Sequence, residues 1–101
     1  MADGGVVAGL PRQQALLLAA QTMKGAADMV LSGGDAVGTG APGEPTLMHP
    51  GVLKDQVTSP GGVTITAVAE LEERGVRAAF ISAVGTAANK SRSMAAAQGQ
   101  Q

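Results

Sequence analysis

Ser59, Thr64 and Thr66 place three hydroxyls around the glycine pair Gly61-Gly62, with Pro60 just before it. This run, residues 57–66 (Val-Thr-Ser-Pro-Gly-Gly-Val-Thr-Ile-Thr), is the stretch best equipped for chemistry. Helical periodicity starts at Val63 and lasts to Glu73, so a glycine-bearing loop empties into a helix N-terminus. Such an end carries N–H groups without intrahelical acceptors and a partial positive charge, which together favour an anion. Glycines let a ligand approach the main chain, and hydroxyls both donate and accept. The chemistry expected is recognition of a small carboxylate or phosphate. Local chemistry alone leaves a second reading open. Ser-Pro-Gly-Gly also serves as a plain connector, with Thr58 or Ser59 capping the next helix.

Other motifs are weaker. Gly38-Thr-Gly40-Ala-Pro-Gly43 matches the dinucleotide-binding pattern letter for letter. That pattern works only between a strand and a helix. Here a helix is predicted before it, and Pro42 and Pro45 sit where the phosphate-facing helix would begin, so the match is rejected. No Gly-Lys-Ser/Thr follows Gly62, which argues against a P-loop. His49 has the right chemistry for a proton donor, but the simpler reading is an exposed residue at a helix entrance. Asn89-Lys-Ser91 is formally a glycosylation acceptor, yet it falls within a predicted helix and no secretion signal accompanies it.

The elements that must position the loop are helical. Residues 2–9 read as the stub of one helix, ended by Gly9-Leu10-Pro11, with Pro11 suited to the first turn of the next. Residues 12–32 form the longest predicted helix, and Leu16, Leu17 and Leu18 widen its apolar face until burial on several sides is expected. Gly33-Gly34 stops it. Residues 33–49 read as a flexible loop rich in glycine and proline. A short helix is predicted next, over 51–56, and then Val63–Glu73, with Ile65, Val68, Ala69 and Leu71 on its buried side. The last helix covers 76–94 with an apolar stripe through Val76, Ala79, Phe80, Ala83, Val84, Ala87 and Ala88, before a frayed tail at 95–101. No strand is predicted. The fold class expected is all-α: a small bundle of three main helices plus a short one, forming one domain over 1–101.

Composition narrows the function. With 101 residues and a net charge of −1, there is no electrostatic case for nucleic acid or an anionic membrane. Phe80 is the only aromatic residue, so base-stacking platforms are missing. Cysteine is absent and His49 is the only histidine, so no disulfide, thiolate or metal site is expected. No apolar run is long enough for a membrane span and no signal peptide is visible, so a cytoplasmic location is expected, with an organelle as the alternative. Large side chains are few, so much of the core is expected to lie between subunits.

From Pro50 through Leu53, Val57, Thr58-Ser59-Pro60-Gly61-Gly62, Thr64, Ala67 and Leu71 to Glu72, the chain resembles the signature of the pyrroline-5-carboxylate reductases. The flanks at residues 8–12, 19–22, 25–27, 75–79 and 82–84 resemble that family's neighbouring helices. The resemblance implies NADPH- or NADH-dependent reduction of 1-pyrroline-5-carboxylate to L-proline, the last step of proline biosynthesis. It implies an N-terminal Rossmann domain that binds the cofactor, absent from these residues, and a helical dimerisation domain to which this chain corresponds. Two protomers would interlock as a homo-oligomer, with the substrate at their interface. Backbone N–H groups at Gly61, Gly62, Val63 and Thr64 would hold the substrate carboxylate. The Thr64 hydroxyl would meet the ring nitrogen, Ser59 would line the loop, and Gln56 would lie against the cofactor. A threonine hydroxyl is a very weak acid, so Thr64 is expected to orient an already protonated iminium; the hydride belongs to the nicotinamide.

This sequence departs from the family pattern in three places. Residues 34–48 read as an insertion, Gly85 stands where many relatives carry glutamate, and Ser93-Met94 replaces an acidic-leucine ending. None of these touches the loop at 57–66. A reading of another class, a non-catalytic helical oligomerisation module, rests on the alanine-rich helices and thin core.

Overall fold

The computed structural model describes residues 1–33, 36–37, 42–43 and 46–99. The chain divides into two compact units, Met1–Gln56 and Val57–Gln101.

The first unit opens with α1 (Ala2–Val7) and α2 (Arg12–Leu31). Gly9, at φ 102°, ends α1: its N–H donates to the Val6 carbonyl and the Leu10 N–H donates to the Gly5 carbonyl, both at 3.0 Å. This is the paired closure that a left-handed residue permits after a helix. Pro11 stands directly before the predicted start at residue 12, as the N-cap of α2 (φ −56°, ψ 141°), and its carbonyl accepts the Ala15 N–H at 2.9 Å. The two helices meet closely where Gly5 faces Ala15. A Cβ on Gly5 would lie 3.1 Å from the Ala15 Cβ. An Arg12–Asp3 ion pair of 2.6 Å sits outside that contact, on the surface.

Ala15, 2% exposed, is the one buried apolar residue among the described residues. The burial expected around Leu16, Leu17 and Leu18 is therefore not supplied by the described residues; Leu17 is 70% exposed. Helical periodicity reports that a face is apolar and is silent on which molecule covers it.

Beyond Gly33 the absence of strands needs correcting. β1 (Ala36–Val37) pairs antiparallel with β2 (Leu47–Met48), in the register Ala36↔Met48 and Val37↔Leu47. The class remains all-α, because this ladder is two residues long on each side. The rest of the glycine-proline loop, residues 34–35, 38–41 and 44–45, lies outside the described residues. The Gly38–Gly43 motif is thus preceded by β1 rather than α2, and the next described element after it is the returning β2, not a phosphate-facing helix. α3 (Pro50–Val57) closes the unit. His49 caps α3: its Nδ1 accepts the Gly51 N–H at 3.0 Å and its carbonyl accepts the Val52 N–H at 3.0 Å.

The second unit is a helical hairpin, α4 (Val63–Glu73) and α5 (Val76–Gln98), with Gly75 between them. Arg77 on α5 grips Glu72 on α4 with two hydrogen bonds of 2.8 and 2.6 Å. That hydrogen bonding, then the carboxylate's charge, raises the Arg77 pKa above its ordinary value. α5 runs past the predicted end at 94, so residues 95–98 are helix rather than frayed tail. Ala95, Ala96 and Ala97 are strong helix formers, and the first breaker is Gly99. On α4, Ile65 and Val68 are half-buried, whereas Ala69 and Leu71 of the predicted buried side are exposed. On α5 the predicted stripe is largely uncovered: Phe80 is 70% exposed and Val84 69%, with Ile81 beside them at 75%. Among the described residues no helix is long and apolar enough to cross a membrane. No group of His, Asp and Glu side chains there could hold a metal ion.

Candidate functional site

Ser59 to Gly62 form a closed turn, in which the Gly62 N–H donates to the Ser59 carbonyl at 3.1 Å. Pro60 fixes its own φ near −65°, and Gly61 has a φ of 64°. Proline second and a left-handed glycine third define a type II turn. Gly62 comes next as the N-cap of α4 (φ −78°, ψ 174°) with no side-chain capping bond. Its backbone is ordinary, so what favours glycine there is space. A Cβ on Gly62 would run into the Ser59 side chain and lie 3.2 Å from the Ser59 carbonyl oxygen.

The turn delivers α4 with its first donors exposed. Val63, Thr64 and Ile65 are the first three helical residues, and their N–H groups meet no acceptor among the described residues. The fourth donor, the Thr66 N–H, reaches the Gly62 carbonyl at 3.3 Å. Three N–H groups at the positive end of the helix dipole thus face outward, the arrangement that binds an oxyanion. The Thr64 and Ser59 hydroxyls are exposed and have no hydrogen-bond partner among the described residues.

Two expectations need correction. The Gly62 N–H, predicted to hold the carboxylate, is already taken by Ser59. The pattern carried that signal, because proline then glycine at the turn centre implies a bond between the outer residues. The Thr66 hydroxyl, predicted to be available, donates instead to the Gly62 carbonyl at 3.0 Å. Sequence reasoning misses one donor: the Ile65 N–H, third of the orphan amides that any helix starting at Val63 must leave.

An open hollow of about 590 Å³ lies beside the turn, lined by Gly61, Gly62, Val63, Thr66, Ala67 and Glu70. It holds the predicted residues Gly61, Gly62 and Val63, but neither Ser59 nor Thr64 lines it. Val63 is 90% exposed at its rim. The Glu70 carboxylate is engaged by Arg74 at 2.8 Å, which tempers its repulsion of an anion nearby. Gln56, the residue expected against a cofactor, is exposed on α3 in the first unit.

Known proteins match this architecture. The family model described as "Pyrroline-5-carboxylate reductase dimerisation" fits residues 1–94. A pyrroline-5-carboxylate reductase of Arabidopsis thaliana is 52% identical over 94 residues, covering 93% of this chain and 29% of that protein. The reductase of Escherichia coli strain K12 is 48% identical over 91 residues, 90% of this chain and 29% of that protein. Among solved structures, NADP-bound Plasmodium falciparum pyrroline carboxylate reductase superposes with a TM-score of 0.73 at 33% identity. That match covers 92% of this chain and 30% of the Plasmodium chain. The chain therefore spans less than a third of the length of these relatives. With a helical hairpin entered through a glycine turn, exposed apolar faces, and a family match over 94 of its 101 residues, the chain belongs to the pyrroline-5-carboxylate reductase dimerisation family.

Proposed function

We propose that this chain is the dimerisation and substrate-binding portion of a pyrroline-5-carboxylate reductase, which reduces 1-pyrroline-5-carboxylate to L-proline with NADPH or NADH. The observation that carries the reading is the row of unengaged N–H groups at Val63, Thr64 and Ile65 beside the free Thr64 hydroxyl. The substrate has one carboxylate and one ring nitrogen. The amide N–H groups donate to the carboxylate, with Gly61 keeping the approach open. The Thr64 hydroxyl oxygen accepts the N–H of the protonated iminium and fixes the face of the ring that is reduced. Ser59 lines the turn, and Gln56 contacts the cofactor.

The described residues do not fit the cofactor itself. They hold no strand–glycine loop–helix cradle for a pyrophosphate, and Val63-Thr64 rather than a lysine comes after Gly62. Cofactor binding is assigned to a dinucleotide-binding domain outside these 101 residues. This division agrees with the 29–30% of each relative's length that the chain covers. The apolar faces of α2 and α5 are assigned to a second copy, giving a homo-oligomer.

The test is a comparison of two samples. Full-length protein is expected to oxidise NADPH when given pyrroline-5-carboxylate, and the isolated 101 residues are expected to be silent. An inactive full-length protein overturns the function, and an active fragment overturns the assignment of the cofactor to another domain.

A further inference from the structure

We propose that Thr66 is a positioning residue whose hydroxyl sets the direction of the Val63 N–H toward the substrate carboxylate; the proposal rests on the function given above. The Gly62 carbonyl and the Val63 N–H are two ends of one trans peptide unit, so they point in opposite directions. Whatever pins the carbonyl aims the N–H. The Gly62 oxygen receives two bonds, both from Thr66: the helical N–H at 3.3 Å and the hydroxyl at 3.0 Å. The hydroxyl makes the shorter contact. Pinning has value here because two glycines precede this peptide. Gly61 and Gly62 have no Cβ to restrict rotation, and no side chain caps the helix. A peptide plane between a glycine turn and a first helical turn is free to tilt unless its oxygen is held.

Thr66 also lines the hollow beside Val63 while its hydroxyl is turned inward. It therefore offers the hollow an apolar methyl and leaves recognition to the backbone. This distinguishes it from Thr64, whose hydroxyl has no partner within the described chain.

The test uses full-length enzyme with Thr66→Val, which keeps the shape and removes the hydroxyl. A carboxylate donor acts equally on bound substrate and transition state, so its misalignment raises KM and spares kcat. Loss of one aligned hydrogen bond is expected to raise KM for pyrroline-5-carboxylate about three- to tenfold, with kcat within about twofold. Thr66→Ser restores the hydroxyl and should restore KM. Thr66→Ala, a stronger helix former, is carried alongside in case the valine variant folds poorly, and should raise KM likewise. Thr22→Val on α2 removes the same kind of bond, Thr22 hydroxyl to Leu18 carbonyl at 2.7 Å, away from the turn; it should leave KM unchanged. An unchanged KM in folded Thr66→Val or Thr66→Ala overturns the positioning role. So does a serine variant that fails to rescue. If the unsubstituted full-length protein shows no reductase activity, the function itself fails, and the proposal falls with it for that separate reason.

Discussion

Full-length protein carrying Phe80→Glu is expected to lose its assembly and, with it, much of the helical order of these 101 residues. Phe80 and Val84 lie one helical turn apart on α5, 70% and 69% exposed, with Ile81 at 75% alongside. Burying one such side chain contributes about 1.5–3 kcal/mol. In a two-fold assembly each substitution appears twice. A carboxylate placed in an apolar interface adds a desolvation penalty of several kcal/mol. Together these weaken the dimer by about a hundredfold or more. Ala15 is the single buried apolar residue among those described, so a separated protomer has little core of its own. Light scattering across a concentration series should show monomer where the unsubstituted protein is expected to be oligomeric, and far-ultraviolet dichroism should lose part of its helical signal. An intact oligomer of the Phe80→Glu protein would remove α5 from the interface.

The second large effect concerns Thr64. Thr64→Ala in the full-length protein is expected to lower kcat/KM by about 10- to 100-fold, the range for a lost hydrogen bond to a charged group. Most of the loss should appear in kcat if, as proposed, the hydroxyl orients the reacting iminium rather than merely holding the acid. The side chain is exposed and bonded to nothing in the described chain, so its removal should leave melting temperature and assembly unchanged. Thr64→Ser should retain most activity. Unaltered turnover in Thr64→Ala would favour the rival reading, in which these helices only bring protomers together.

Much of this architecture is legible in the punctuation of the sequence. Pro11, Gly33, Pro50, Gly62 and Gly75 each sit at a helix boundary, and α4 has the predicted limits. Where punctuation is missing the reading fails: nothing between Met94 and Gly99 stops α5, so the alanines extend it. Strands of two residues have no alternation to detect, which is why β1 and β2 are invisible in the sequence. The apolar faces are legible, but nothing among the described residues covers them. At the turn, donor counting finds the unengaged amides of Val63 and Thr64 but credits Gly62 with an amide that the type II turn has already engaged. The identity proposed for the anion rests on the family pattern between Pro50 and Glu72. The physics of the helix end specifies a small anion and no more.

On the function proposed above, the amides opening α4 hold a carboxylate. This is tested most directly by a crystal structure of the full-length protein with L-proline bound. The proline carboxylate is expected about 3 Å from two or more of the Val63, Thr64 and Ile65 nitrogens, with the ring nitrogen at the Thr64 hydroxyl. Proline seated elsewhere, with those three amides facing water, would rule out carboxylate binding at this helix end.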